Sequence, residues 1–359
     1  MASKYKNSYH RYYGRSRGSL ILKIILVLLV LLVAAALVFR FVFGGRIERT
    51  EYGLRLVLPG STAQPSESPQ PTESDPILII EPSDEPTQTP EPSAEPLRGV
   101  KAVEVTADQL RAGTALQAVR DAGGDTLVVT MKGRTGRLLW QSHVGLAADL
   151  GVNAADDGVA QAVAALAESG EVRLVARVNC FRDQALVRAR LGGPLMTRGG
   201  NVWYDQAGLC WVSATDSTVR SYLAALCAEL ADMGFDEILL ESPAFPDAGE
   251  VHVLAESDRF PADKTAPAEQ FLSEVCTALE GKNVTLSVLT TAEAVLGANT
   301  GSGVTAELLA SCVDRAWMPA PAAGQDPAAA LEAAGLAGEG RLVLVGDRTA
   351  ASWADLNNI

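Results

Sequence analysis

Histidine and cysteine are scarce in this chain, which has three histidines and five cysteines in 359 residues. No two histidines stand at metal-ligand spacing, and the cysteines include no C-x-x-C pair. We therefore predict no zinc site, no other bound metal and no cofactor. An odd number of cysteines leaves at least one unpaired within the chain. The thiols are either all buried apolar groups, or two of them form one disulfide.

The chain also lacks positive charge, because 30 lysines and arginines face 43 acidic residues and the net charge is −13. A protein that binds nucleic acid needs basic surface to displace counterions from phosphates. We therefore expect no nucleic-acid partner. The positive charge that exists is concentrated at one end, since residues 1–49 hold nine lysines or arginines and a single acid.

Residues 20–43 form the one long hydrophobic run, LILKIILVLLVLLVAAALVFRFVF. A helix needs about 20 residues to cross a membrane, and Lys23 and Arg40 lie near the ends, where their charges can reach the headgroups. Since the preceding residues 1–19 are basic, the positive-inside rule predicts a cytoplasmic tail, a single-pass span and an extracytoplasmic remainder. The alternative is a signal peptide cleaved near the small residues 34–36.

Residues 44–97 are rich in proline, serine, threonine and glutamate, particularly over 59–96. Such a composition cannot bury enough apolar surface to offset its ordering entropy, so we predict a disordered, semi-extended linker. The remaining residues, 98–359, alternate short apolar runs with alanine-rich amphipathic stretches. This alternation is typical of βα units around a parallel sheet.

Seven strands and five clear helices are predicted in residues 98–359. This number of βα units favours an α/β fold of the (β/α)8 TIM-barrel type, with a degenerate or missing eighth unit. An open doubly wound sheet is the alternative, because only fourteen residues follow the seventh strand. The predicted strands are 100–106, 126–132, 172–179, 237–241, 284–289, 314–318 and 341–345, and the predicted helices are 157–168, 217–233, 267–279, 305–312 and 327–334.

Functional groups in such barrels lie at the carboxyl ends of the strands. Because side chains alternate along a strand, residues two apart share a face. This rule places five polar residues around one cleft: Glu104, Lys132, Arg177, Asn179 and Glu241. Glu241 and Arg177 could also form a purely structural ion pair. Three tryptophans are candidate platforms for sugar rings, or else packing residues: Trp203, Trp211 and Trp317.

The segment 234–246, GFDEILLESPAFP, resembles the signature GFDEI-Q-F-D-Y-[IV]-R-F-P of a bacterial family of glycoside hydrolase-like domains of otherwise unknown function. Weaker matches to that family follow its order in 127–142, 172–183 and 202–238, with a faint one in 313–321. The resemblance covers essentially the whole domain. It implies a TIM barrel distantly like those of the α-amylase clan.

The resemblance also implies a catalytic role for Glu241, which stands where the family has a strand-end aspartate. In a retaining glycosidase this residue would be the nucleophile, with a second carboxyl group about 5–5.5 Å away as acid and base. Asp183 is the first candidate for that partner because it follows a strand end. Asp205, Glu104 and Asp247 are the other candidates.

The sequence departs from the family pattern at several polar positions. Serine and alanine replace the family's tyrosine and arginine at Ser242 and Ala244, and Thr130 and Gly133 replace two aspartates. These substitutions favour a loss of catalysis, whereas the resemblance over the whole domain implies an enzyme. From the resemblance we expect a membrane-anchored, extracytoplasmic glycoside hydrolase that acts on cell-envelope or extracellular polysaccharide. The alternative is a catalytically inactive barrel that binds glycan or a protein partner at the cell envelope.

Overall fold

The computed structural model describes residues 47–50, 53–56 and 97–357. Strands β1 (Ile47–Thr50) and β2 (Gly53–Leu56) form an antiparallel pair, with Ile47 opposite Leu56. This pair falls inside the predicted linker, so part of that segment forms strands. The predicted span 20–43 lies outside the described residues. Among those residues, no helix combines the length and the apolar character that crossing a bilayer requires.

The domain that follows is a closed barrel of eight parallel strands. Each strand pairs with the next along the chain, and the eighth pairs with the first, so the sheet has no free edge. The strands are β3 (Lys101–Glu104), β4 (Thr126–Lys132), β5 (Arg173–Asn179), β6 (Glu237–Glu241), β7 (Thr285–Leu289), β8 (Arg315–Pro319), β9 (Leu342–Val345) and β10 (Trp353–Asp355).

Helices cover the outside of the barrel, and the large apolar core lies between them and the strands. The longest helices, α6 (Ser217–Asp232) and α7 (Thr265–Leu279), bury the most residues against the sheet and against each other. The helices are α1 (Ala107–Arg111), α2 (Ala115–Asp121), α3 (Gly145–Leu150), α4 (Gly158–Ser169), α5 (Gln184–Arg188), α6 (Ser217–Asp232), α7 (Thr265–Leu279), α8 (Ala292–Val295), α9 (Ala306–Cys312) and α10 (Pro327–Ala334).

The eighth strand decides between the two predicted architectures. In β10, Trp353 pairs with Lys101 of β3 and with Leu344 of β9, which closes the sheet. The open doubly wound alternative is therefore wrong. With three residues, β10 is too short to show a periodic pattern in the sequence. The first strand is also shorter than predicted, since Thr106 already caps α1 through a reciprocal capping box with Gln109.

The amino-terminal end of the barrel is closed by a buried polar cluster around Glu237. Its carboxylate lies 2.8 Å from the Arg315 guanidinium and 3.3 Å from that of Arg173. It also accepts hydrogen bonds from the Ser287 hydroxyl at 2.5 Å and the Trp317 indole at 2.9 Å. Burial lowers the pKa of Arg315, and the charge of Glu237 opposes that shift. Glu237 therefore has a structural role.

Above this cluster an apolar layer fills the barrel, and its members include Val128, Val175, Leu239 and Val343. The layer separates the Glu237 cluster from a second polar group at the carboxyl ends of the strands. All five cysteines are free thiols, and three of them are buried: Cys180, Cys210 and Cys227. The barrel is thus stabilised by packing and ion pairs, and the group at its carboxyl end is the place to look for function.

Candidate functional site

Two cavities open at the carboxyl end of the barrel. The first, of about 440 Å³, lies over the ends of β3 and β4. The second, of about 480 Å³, lies among the loops that follow β5, β6 and β7. Arg134 and Glu241 line both cavities, so their side chains form the wall between them.

Glu241 is the last residue of β6, and it is 7% exposed. One carboxylate oxygen lies 2.7 Å from Nε of Arg177, and the other accepts a hydrogen bond of 3.1 Å from Nε of Arg134. The predicted ion pair between Glu241 and Arg177 is therefore present, and a second guanidinium joins it. A carboxylate held in this way is suited to act as a charged group, either as nucleophile or as base.

The backbone turns sharply immediately after Glu241. Ser242 has a φ of 52°, a left-handed conformation that residues other than glycine adopt at a cost. Its carbonyl accepts a hydrogen bond from the amide of Phe181, which ties the turn to the end of β5. The strained turn ends the strand at Glu241 and sends the chain along the second cavity.

Glu104 lies on the opposite side of Arg177, whose Nη1 is 3.0 Å from the Glu104 carboxylate. Because Glu104 and Glu241 contact nitrogens of one guanidinium group, their nearest oxygens lie within about 8 Å, in the range of paired catalytic carboxyls. Glu104 is already occupied, however. It also accepts hydrogen bonds from the Thr130 hydroxyl and the Asn357 amide. These three donors hold Glu104 in a fixed position in the lining of the first cavity.

Asp247 lines the second cavity together with Glu241. It follows β6 on the loop whose Phe245 amide bonds the carbonyl of Ser302, and Asn299 donates to the Asp247 carbonyl at 3.1 Å. Burial raises the pKa of the Asp247 carboxyl, and the charge of Glu293 adds to the shift. A carboxyl group that keeps its proton to higher pH is the type of group that serves as a general acid.

Asp205 also lines the second cavity, but its carboxylate is fully committed. It lies 2.6 Å from Nε of Arg182 and accepts a 3.0 Å hydrogen bond from the Trp211 indole. Burial alone would raise its pKa, but the bonds from Arg182, Trp211 and the Leu209 amide together hold the pKa below the usual value. Asp205 is therefore an ionised group that fixes the cavity wall.

Asp183 is not part of the cleft, which corrects the first-ranked candidate for the second carboxyl. Its side chain is 1% exposed and lies 2.7 Å from Nζ of Lys132. The same carboxylate caps α5 by accepting from the Leu186 amide. Lys132 is equally enclosed and lines neither cavity. Both residues are enclosed away from the two cavities, and their contacts tie β4 to α5.

Asn179 and two tryptophans also lie away from the cavities. Asn179 is fully buried, and neither its side-chain oxygen nor its side-chain nitrogen has a hydrogen-bond partner among the described residues. Trp317 lies inside the barrel on Glu237, and the Trp203 indole donates to the carbonyl of Glu250 in the protein interior. Of the three predicted sugar platforms, Trp211 alone lines either of these two cavities, and it is 8% exposed.

Arg134 is a site residue that strand alternation in the sequence does not predict. It lies in the turn after β4, where the Gly136 amide bonds the carbonyl of Gly133. Loop residues follow no strand or helix period, so their direction is not readable from spacing. The available signal was its position, an arginine two residues beyond a strand that ends at the mouth.

A family model described as "putative glycosyl hydrolase domain" matches residues 101–316. The chain belongs to this family. The match runs from β3 to β8, and it therefore includes Glu241, Arg134 and Asp247. No curated protein sequence matches the chain. Among the described residues, no group of three His, Cys, Asp or Glu side chains is arranged to hold a metal ion.

Solved structures that are similar to this family member include three bacterial proteins. A hypothetical protein from Ruminiclostridium thermocellum is 19% identical, with a TM-score of 0.44, over 52% of this chain and 96% of that one. The PgaB (BpsB) glycoside hydrolase domain from Bordetella bronchiseptica is 12% identical, with a TM-score of 0.46, over 69% and 84%. An α-galactosidase from Thermus thermophilus is 15% identical, with a TM-score of 0.39, over 61% and 41%.

Proposed function

We propose that the protein is a glycoside hydrolase in which Glu241 is the charged carboxylate and Asp247 the general acid. One observation carries the proposal: the two carboxyl groups line the same cavity, Glu241 against two guanidinium groups and Asp247 in a setting where burial raises its pKa. Glycoside hydrolysis requires such a pair, with one carboxylate attacking the sugar or activating water and one acid protonating the leaving oxygen.

Arg177 has a positioning role in this proposal. It is 2% exposed and holds Glu241 from below through Nε. Glu104 holds the other side of the same guanidinium, and the carbonyl of Asn357 accepts from it at 2.9 Å. Since catalysis depends on placing the reacting carboxylate accurately, these contacts supply the fixed geometry that Glu241 needs.

The proposed location is outside the cytoplasm, with residues 20–43 as a single membrane anchor. The support is the hydrophobic length of that segment and the basic residues before it. A barrel outside the cytoplasm would have a polysaccharide of the cell envelope or beyond as its substrate.

Hydrolysis of a panel of neutral and acidic polysaccharides by the full-length protein in detergent tests the activity. We expect wild-type turnover, and a loss of about 10²–10⁴-fold in Glu241→Gln and in Asp247→Asn. The control is Glu332→Gln, which changes an exposed carboxylate on α10 and should leave turnover unchanged. Turnover that survives Glu241→Gln would remove Glu241 from the mechanism.

A second function, glycan binding without hydrolysis, is favoured by the two guanidinium groups that engage Glu241. Binding of a polysaccharide by wild-type protein with no release of reducing ends would support it.

Protease treatment of intact cells tests the location. External protease should cut within residues 57–96 and release the barrel, whereas protection until the cells are lysed would contradict an extracytoplasmic domain.

A further inference from the structure

The wall between the two cavities consists of a single ion pair. Arg134 reaches across the mouth of the barrel, and its Nη2 and Nε lie 3.0 and 3.1 Å from one oxygen of Glu241. Both cavities end at this contact. If the Arg134 side chain left Glu241, the cavities would join into one groove across the barrel, with Glu241 at its centre.

Arg134 differs from the other arginines of the mouth in its partners. Arg182 is paired with Asp205, and Arg177 is paired with Glu104 as well as with Glu241. Within the described residues, Arg134 has Glu241 as its sole carboxylate partner. The Arg134 side chain is also the most exposed of the three, at 25% against 14% for Arg182 and 2% for Arg177.

The position of Arg134 on its turn allows the side chain to move without disturbing a strand. The turn that carries it follows β4, and an isolated bridge between Lys132 and Leu138 fixes its base. Below the turn, the buried pair of Lys132 and Asp183 holds the end of β4 in place. The guanidinium is therefore a movable group on a fixed base.

Breaking the contact has a cost that depends on the substrate. A guanidinium in a partly buried site that loses its carboxylate is left uncompensated, which is unfavourable. A neutral sugar offers hydroxyl groups only, whereas a sugar that carries a carboxylate offers the planar, bidentate partner that arginine binds best.

On this basis, and resting on the function proposed above, we propose that Arg134 selects acidic polysaccharides. A uronate carboxylate of the substrate takes the guanidinium of Arg134 from Glu241, which joins the two cavities and frees one oxygen of Glu241 for the sugar. The charged groups that face this exchange are Arg177 and Glu104 below it, and Arg182, Asp205 and Asp247 in the second cavity. Since Arg182 and Asp205 neutralise each other, Arg134 is the partner that remains for the substrate.

Binding of oligogalacturonate and of the same oligomer with methyl-esterified carboxyls tests the proposal, because the two probes differ only in the carboxylates. The full-length protein is used in lipid nanodiscs with each probe. The quantity compared is the dissociation constant of the methyl ester divided by that of the free acid. We expect this ratio to fall about tenfold in Arg134→Gln, since an ion pair of about 1.4 kcal/mol corresponds to that factor. Arg137→Gln is the matched control, as this exposed arginine lies on the same hairpin.

The basic residues 1–19 also attract an acidic oligomer, but they are identical in all three proteins. Their contribution therefore cancels when the ratios are compared between variants. An unchanged ratio in Arg134→Gln, or an equal fall in Arg137→Gln, would overturn the proposal, and so would a wild-type protein that binds both oligomers equally well. If the protein hydrolyses only neutral polysaccharides, the proposed selection of acidic substrates is wrong, whereas the proposed hydrolase function stands. If the wild-type protein neither hydrolyses nor binds any polysaccharide, the proposed hydrolase function is itself rejected.

Discussion

The carboxylate of Asp183 lies 2.7 Å from the ammonium group of Lys132, and both side chains are enclosed. Gly136 packs directly against Asp183, where a larger residue would collide with the carboxylate. The pair thereby ties the end of β4, the start of α5 and the turn that carries Arg134 to one another. The residue that the sequence suggested as a catalytic acid instead supports the wall of the cleft.

Changing Lys132 to methionine should destabilise the protein by about 3–5 kcal/mol, because the Asp183 charge is left buried without a partner. Asp183→Asn should also be destabilising, since it leaves Lys132 unpaired. The double variant should recover much of the loss, because asparagine can still cap α5 and no buried charge remains. Urea unfolding followed by circular dichroism measures all three. Additive losses in the double variant would show that the two side chains do not interact.

Glu237→Gln should destabilise the barrel by about 3–5 kcal/mol through the loss of charge beside Arg315. The Arg315 guanidinium also donates to the carbonyls of Arg98 and Gly340, so it joins the segment before β3 to the segment before β9. Thermal unfolding measures the effect. Glu332→Gln, on the surface, should stay within about 0.5 kcal/mol of wild type. A Glu237 variant as stable as this control would mean that the cluster does not hold the barrel closed.

Asp247→Asn should raise the melting temperature at pH 7 and have little effect near pH 3. The pKa of Asp247 is raised by folding, so the stability this carboxyl contributes is present below its unfolded pKa and is lost as pH rises through the folded pKa. At pH 7 the unfolded carboxyl is ionised, so folding makes this group either keep its proton or bury its charge. Asparagine removes either cost. At pH 3 both states are protonated, and the difference disappears.

Melting curves of wild type and Asp247→Asn across this pH range give the check. Lower stability of the variant at pH 7 would indicate that Asp247 makes stabilising contacts as a carboxylate. Loss of activity together with gained stability would be the pattern expected of a functional group held in a costly environment.

Much of the fold was predictable because the buried strands are continuous apolar runs. The predicted strands 126–132 and 237–241 coincide with β4 and β6. Alternation along the strands also brought Glu104, Arg177 and Glu241 to one layer, where Arg177 contacts both glutamates. The sequence carries this information because strand geometry is regular.

The remaining site residues depend on irregular geometry. The register shifts between Thr130 and Lys132, so that Lys132 lies level with Val178 and turns away from the barrel interior. Trp317 stood near a predicted strand end, but β8 continues to Pro319, which leaves the indole in mid-strand inside the barrel. Asp247 and Arg134 lie on loops, where direction is set by tertiary contacts that no local pattern records.

Barrel closure joins parts of the chain that are very far apart in sequence. The Val100 amide bonds the Ser352 hydroxyl across 252 positions, and the Asn357 amide bonds Glu104 across 253. Contacts of such high sequence separation form late and slow folding, because most of the chain must be organised before they bring any gain. Until β10 docks, β3 presents an unpaired edge to other chains, so chaperones that shield strand edges should improve the yield of refolded protein.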